Sequence, residues 1–305
     1  MKIVTLTLAA AFDIHCEAEG ITVNHENIAT VTDYDAGGKG VNISRALKSF
    51  GVDNTAVVVV GEDNQAEFVK RLENENISFQ TVAIKGRIRE NITIHTSDGR
   101  ETRISFKSAP APENLLCEIS EITDSLCDGD TVLTFTGRLP EGVSLDSAKC
   151  YIKELKSRGV RIVLDSRSFA LADMLEVKPY LIKPNEEEIS AYMGMQISDF
   201  ASAAEAALKL NSDGIENVMI SLGEKGALLC RDGAVYTAAA PRIKAVSTVG
   251  AGDSSIAGFL YALSFGENYS VALKTAVAFG SAACLTAGTN PPERESVEKL
   301  LSQIR

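Results

Sequence analysis

Short, largely apolar runs alternate along this chain with stretches of helical periodicity, and that alternation restricts its fold more than any other feature. Thr55–Val60, Thr131–Phe135, Arg161–Leu164, Tyr180–Ile182 and Asn217–Ile220 predict buried strands. Glu62–Glu75, Ser144–Ser157 and Ala201–Leu210 predict helices between them. The pattern is that of an α/β fold, a mostly parallel sheet covered by helices. A length of 305 residues with 45% hydrophobic content suits one large α/β unit with a substantial core. No internal repeat or long linker interrupts it.

Two regions break the alternation. Phe12–Asp35 and Arg87–Lys107 carry period-two patterns with no helix between strands, and Ser97-Asp98-Gly99-Arg100 reads as a hairpin turn between Ile92/Ile94 and Ile104/Phe106. Half-buried antiparallel strands inserted in an α/β body predict a small sheet standing apart, built from about 12–35 and 87–107.

The net charge of −11 argues against nucleic acid or an anionic membrane surface as partner. Against that background Lys85, Arg87, Arg89, Arg100, Arg103 and Lys107 form a local basic patch. It suits a small anionic ligand or, equally, an edge strand charged against aggregation. No apolar run approaches the ~18–20 residues of a membrane span. Met1–Leu8 reads as a first strand without a signal-peptide pattern, and the six cysteines show no CxxC or zinc spacing. Reduced thiols and a cytoplasmic location are the expectation.

In open α/β sheets ligands sit beyond the carboxyl ends of the strands. Here those ends read Thr136-Gly137-Arg138, Asp165-Ser166-Arg167, Lys183-Pro184-Asn185 and Ser221-Leu222-Gly223. The strongest motif is Ser247-Thr-Val-Gly-Ala-Gly-Asp-Ser-Ser255, followed by Ile256, Phe259, Leu260 and Leu263 at helical spacing. A helix starting at about Asp253 after a glycine turn offers free backbone N–H groups to an anion. A carboxylate repels a phosphate, so Asp253 makes sense there if it takes a proton from an attacking hydroxyl; a plain helix N-cap is the other account.

Asp35-Ala-Gly-Gly-Lys-Gly-Val-Asn-Ile-Ser44 opens a second helix, with Lys39 and Asn42 near its start. It lacks the leading glycine and the Ser/Thr of a Walker A loop. Asn185 and Glu188, three apart at a strand-to-helix switch, could face hydrated Mg²⁺ together or simply form an acidic first turn.

Gly-Gly-Lys-Gly-x-Asn, then Asn-x-x-Glu, then Gly-Ala-Gly-Asp-Ser, in this order, resembles the phosphofructokinase-B branch of the ribokinase-like superfamily. The resemblance runs from Thr5 to about Thr289 and is closest to the bacterial 1-phosphofructokinases, with tagatose-6-phosphate kinases as near relatives. Thr7-Leu8 with Phe12-Asp13, Gly86-Arg87, Asp165-Ser166 and Ile220-Ser-Leu-Gly-Glu-Lys-Gly226 add local matches. The resemblance implies one kinase domain over 1–305, with a doubly wound sheet and a β-lid often used for dimer formation. It implies transfer of phosphate from ATP, with Mg²⁺, to a small sugar phosphate: D-fructose 1-phosphate or tagatose 6-phosphate.

By resemblance Asp253 is the base, with Gly250, Ala251 and Gly252 lining the anion hole. Asp13, Gly38, Lys39 and Asn42 match sugar-side positions, and Arg89 and Asn91 the substrate phosphate. Ser221, Gly223 and Gly226 match the nucleotide loop, while Lys183, Asn185 and Glu188 match the phosphate and metal motif. On this reading Lys39 and Arg89 face one end of the pocket. The chain departs from the family pattern in two places: Ala9-Ala10-Ala11 replaces the usual Asn-Pro-Ala turn, and Arg138, a candidate phosphate contact, stands where a small serine is common. A non-catalytic sensor would usually lose Asp253 or the Gly-Ala-Gly turn. A dinucleotide oxidoreductase would need a glycine fingerprint that Leu8–Phe12 lacks.

Overall fold

The computed structural model describes residues 1–304. The chain runs β1 (Lys2–Thr7), β2 (Ala11–Ala18), β3 (Ala29–Gly37), α1 (Lys39–Ser49), β4 (Thr55–Gly61), α2 (Gln65–Asn74), β5 (Ser78–Ile84), β6 (Arg89–Thr96) and β7 (Glu101–Ser105). It continues through α3 (Leu115–Leu126), β8 (Thr131–Thr136), α4 (Leu145–Ser157), β9 (Arg161–Asp165), α5 (Leu171–Val177), β10 (Leu181–Ile182), α6 (Glu186–Met193) and α7 (Phe200–Ser212). It closes with β11 (Asn217–Ser221), β12 (Gly226–Arg231), β13 (Ala234–Ala239), α8 (Ala251–Ser264), α9 (Tyr269–Ala283) and α10 (Arg294–Leu301).

Nine strands form the main sheet in the order β13-β12-β11-β10-β9-β8-β1-β4-β5. From β11 to β5 every pairing is parallel, while β12 and β13 add an antiparallel edge. Both faces are covered. Leu133 and Phe135 of β8 pack with Ile119, Ile152 and Leu210 on one side, while Val132 packs with Leu47, Phe259 and Phe279 on the other. Period-two alternation inside a strand buried on both faces thus feeds two cores, so these strands read as largely hydrophobic runs without polar alternation. Among the described residues no helix is long and apolar enough to cross a membrane.

The two period-two segments form a separate four-stranded sheet, ordered β3-β2-β6-β7. Its pairing differs from the all-antiparallel expectation: β2 and β6 run parallel. Each arrives from its own excursion out of the main sheet, so the joint between the two hairpins has no turn to reverse it. Register then sorts the residues by face. Asp35, Asp13 and Asn91 form one rung, and Tyr34, Ile14, Ile92 and Ile104 form the next, on the opposite face.

Candidate active site

Four strand ends and two helix starts converge on one cleft. The helix after the glycine turn begins at Ala251 rather than at about Asp253, with Gly250 as N-cap in a left-handed conformation (φ 75°). Asp253 is therefore the third residue of α8 and not its cap. The first intrahelical bond of α8 runs from the Ser254 N–H to the Gly250 carbonyl (2.8 Å), which leaves the N–H groups of Ala251, Gly252 and Asp253 without helical partners. A Cβ placed on Gly252 would lie 3.1 Å from Lys183 Nζ, so an ammonium stands directly beside those donors. Free N–H groups, the positive end of α8 and Lys183 together make an anion hole.

Asp253 is buried, and its Oδ2 accepts a hydrogen bond from Asn42 Nδ2 at 3.0 Å. Among the described residues its Oδ1 has no protein donor. Burial pushes the Asp253 carboxyl up to about 6, against the pull of Lys39, the Asn42 hydrogen bond and Lys183, with Asp165 adding to the rise. A carboxylate poised near neutrality with one free oxygen can take a proton at physiological pH.

Lys39 Nζ donates to Asp165 Oδ2 at 2.9 Å. Burial works to lower the Lys39 pKa, but the charges of Asp165 and Asp253 outweigh it and hold the ammonium in its charged form. Burial likewise opposes charge on Asp165, yet Lys183 and Lys39 keep its carboxyl below the usual range. Asp165 is a buried acid between two lysines, at the carboxyl end of β9. Its position at a strand end was visible in the sequence; its role was not.

The small sheet supplies the other wall. Asn91 Nδ2 donates to Asp13 Oδ1 at 2.8 Å. Gly37 lies so close over Asp13 that a Cβ there would fall 2.0 Å from Asp13 Oδ2, which is why this crossing requires glycine. Strand register and Asn91 thus aim Asp13 without the family's Asn-Pro turn. Burial raises the Asp13 pKa, offset in part by Asn91, His15, Arg45 and Arg89.

Arg89 follows the same face two residues before Asn91, and its Nε is buried with no partner. Burial lowers the Arg89 pKa, Asp13 opposes that, and Arg138 adds to the lowering, which places Arg138 as a second cation close by. The basic patch does not act as one unit. Arg100 pairs with Asp98 and Arg103 with Glu101, while Lys85, Arg87 and Lys107 are exposed. Lys39 and Arg89 also have separate partners: Lys39 sits with Asp165 and Asp253, and Arg89 with Asp13 and Arg138.

On the far side, the Ser221 N–H donates to the Pro184 carbonyl (3.1 Å), and Asn185 bridges Ser221, bringing the Lys183–Asn185 and Ser221–Gly226 loops together. Gly223 turns the second loop at φ 56°. Gly226 answers to packing: at φ 116° its missing Cβ would strike the Ala238 carbonyl of β13 at 2.0 Å. Asn185 and Glu188 form a reciprocal capping box at 2.8 and 3.1 Å, and Glu188 Oε1 also accepts from Arg167 Nε at 2.7 Å. Gly38 caps α1 at φ 119° beside Thr7.

The family model for pfkB family carbohydrate kinases matches residues 4–296. This chain belongs to the pfkB carbohydrate kinase family. Among curated relatives, 1-phosphofructokinase of Bacillus subtilis is 33% identical over 306 residues, covering 99% of this chain and 98% of that protein. The 1-phosphofructokinase of Haemophilus influenzae is 30% identical over 307 residues, covering 100% and 97%. A crystal structure of phosphofructokinase-2 from Escherichia coli in complex with substrates and products superposes with a TM-score of 0.94 at 28% identity, covering 99% of both chains. As a pfkB kinase the protein is an ATP-dependent sugar phosphotransferase, and the doubly wound sheet with a small separate sheet is the family's architecture.

Proposed function

We propose that this pfkB kinase phosphorylates D-fructose 1-phosphate at its 6-hydroxyl, yielding fructose 1,6-bisphosphate. The observation that carries the reading is Arg89: a half-buried guanidinium whose Nε is buried without a partner, beside Arg138 and the hydroxyl-reading candidate Asp13. A buried, unpaired donor on a cation calls for an anion, and charge-assisted bonds to a sugar phosphate supply it. The curated relatives named 1-phosphofructokinase point to the same acceptor.

The residues then divide the work. Arg89 and Arg138 hold the acceptor phosphate, Asn91 fixes Asp13, and Asp13 with Gly38 reads ring hydroxyls. Asp253 Oδ1 accepts the proton of the attacking hydroxyl. The N–H groups of Gly250, Ala251, Gly252 and Asp253, with Lys183 and Lys39, stabilise charge on the transferring phosphoryl group. Ser221, Gly223 and Gly226 shape the wall for the nucleotide. Asn185 and Glu188 fit Mg²⁺ held through water, because each Glu188 oxygen keeps a lone pair beyond its bond to the Asn185 N–H or to Arg167. Bound with ATP, Mg²⁺ would neutralise phosphate charge.

The four-stranded sheet serves as the lid over this cleft, and its outward face as the surface of a homodimer. ADP release measured across a panel of sugar phosphates tests the acceptor: kcat/KM is expected to be highest for D-fructose 1-phosphate. Preference for tagatose 6-phosphate would reverse the sugar in the cleft, and preference for unphosphorylated fructose would remove the role given to Arg89.

A further inference from the structure

One buried cation has no part in the roles above. Arg45 lies on α1, three residues after Asn42, and is almost wholly buried. Its guanidinium is clamped by Glu75, the C-cap of α2, through Nε to Oε2 at 2.5 Å and Nη2 to Oε1 at 3.1 Å. Nη2 also donates to the Ala36 carbonyl, at the root of the small sheet, and Nη1 donates to Asn42 Oδ1 at 3.2 Å. Asn42 in turn donates to Asp253.

The chemistry of a guanidinium gives this chain of contacts a direction. Arginine has five donors and no acceptor, so the Asn42 atom that faces it must be the oxygen. The atom facing Asp253 is then the amide nitrogen. Without Arg45 the amide is free to rotate by 180° and present its oxygen to the carboxylate, which repels it. Alanine in place of Asn42 would remove the contact; loss of Arg45 would only unlatch it. Resting on the reading of Asp253 as base, we propose that Arg45, held by Glu75, is a positioning residue that locks the Asn42 side chain so that it donates to Asp253 Oδ2 and leaves Oδ1 for the acceptor hydroxyl.

The charges around Asp253 come from Lys39 on α1, Asp165 on β9 and Lys183 after β10; those around Arg45 are Glu75, Asp13 on β2 and Asp35 on β3. The Asn42 hydrogen bond is one of the contacts that hold Asp253 down against burial. Releasing it moves the proton affinity of Asp253 upward. A residue that merely tied α1 to α2 would lower stability and leave that titration where it was.

The test is the pH profile of kcat, by ADP release with D-fructose 1-phosphate, for the full chain with Arg45→Met. Its acid limb is expected to move up by about one pH unit, with KM for ATP within about twofold of the unchanged enzyme. Arg45→Lys, which keeps one donor toward Asn42, should bring the limb part of the way back. If Arg45→Met fails to fold, Glu75→Gln loosens the same clamp from the half-exposed end of α2 and should move the limb in the same direction by less. An unmoved limb in a folded variant overturns the proposal. Asp253→Asn in the same assay separates the two readings: if it keeps most turnover, the base assignment fails and the inference falls with it. If it is inactive while the limb of the Arg45 variant stays put, only the inference is lost.

Discussion

Asp253 carries a conflict between stability and chemistry that a single substitution should expose. Its folded pKa of about 6 lies above the ordinary 3.8, so between those values the folded state binds a proton that the unfolded chain has released. The stability contributed by this group is therefore highest below pH 4 and falls as pH rises to about 6, by on the order of 3 kcal/mol for a two-unit shift. Asp253→Asn is expected to unfold at a higher temperature than the unchanged protein at pH 8, with the advantage gone at pH 4; calorimetry at the two values checks it. The same variant should lose roughly 10²–10⁴-fold in kcat with little change in ATP affinity. In the unchanged enzyme, kcat should decline below pH ~6 as the base protonates. At the other wall, Arg89→Ala should raise KM for the phosphorylated sugar by roughly 10–100-fold, the worth of one charge-assisted bond. It should matter little for an unphosphorylated one, and steady-state kinetics on both sugars tells the difference.

The element that aims Asp253 is α8, and α8 is held by a close crossing with α9. A Cβ on Gly258 would fall 2.7 Å from Phe279 Cγ and 2.8 Å from the Thr275 carbonyl, so this crossing admits no side chain on α8. Gly258→Ala gains about 1 kcal/mol of helix propensity but overpacks a core contact at a cost of about 1–3 kcal/mol. The clash wins because the obstructing atoms include backbone. The variant is expected to melt lower and to lose kcat more than it raises KM, since a shifted α8 misplaces both base and anion hole; thermal melts with single-substrate kinetics check this. Such a crossing was invisible in the sequence, where α8 showed only its apolar spacing. Most of the parallel strands were legible as largely apolar runs, and the glycine turn because its motif is local; β5 was not, because Gln80 and Thr81 interrupt its apolar residues. The β12–β13 edge was not read, although Asp232-Gly233, both at positive φ (49° and 72°), form the two-residue hairpin turn that joins the strands. Asp165 and Arg45 were given no role for a different reason. Their partners Lys39 and Glu75 lie 126 and 30 residues away in the chain, beyond any local periodicity.

At the scale of the whole molecule, the small sheet has one face committed and one open. The face bearing Asp13, Asn91 and Arg89 turns to the cleft, and strand alternation sends Ile14, Tyr34, Ile92 and Ile104 to the other. The bulge at His15/Cys16 keeps Val31 on that outer face by restoring its pairing with Cys16. Ile104 on β7 and Phe106 just after it are 45% and 51% exposed, and Val31 on the opposite edge strand is 59% exposed, apolar surface of the kind that a partner normally covers. A second copy of the same face would cover it symmetrically, apolar rung against apolar rung, as two-fold assembly requires. Light scattering at micromolar concentration is expected to give two chains for the unchanged protein and one for Ile104→Lys, since a buried lysine on each side of the axis would meet its own like charge. Because Asp13, Asn91 and Arg89 ride on the same four strands, the monomer should also lose activity, through a higher KM for the sugar phosphate more than through kcat. A fully active monomer of the unchanged protein at that concentration would leave the apolar face without the role given to it.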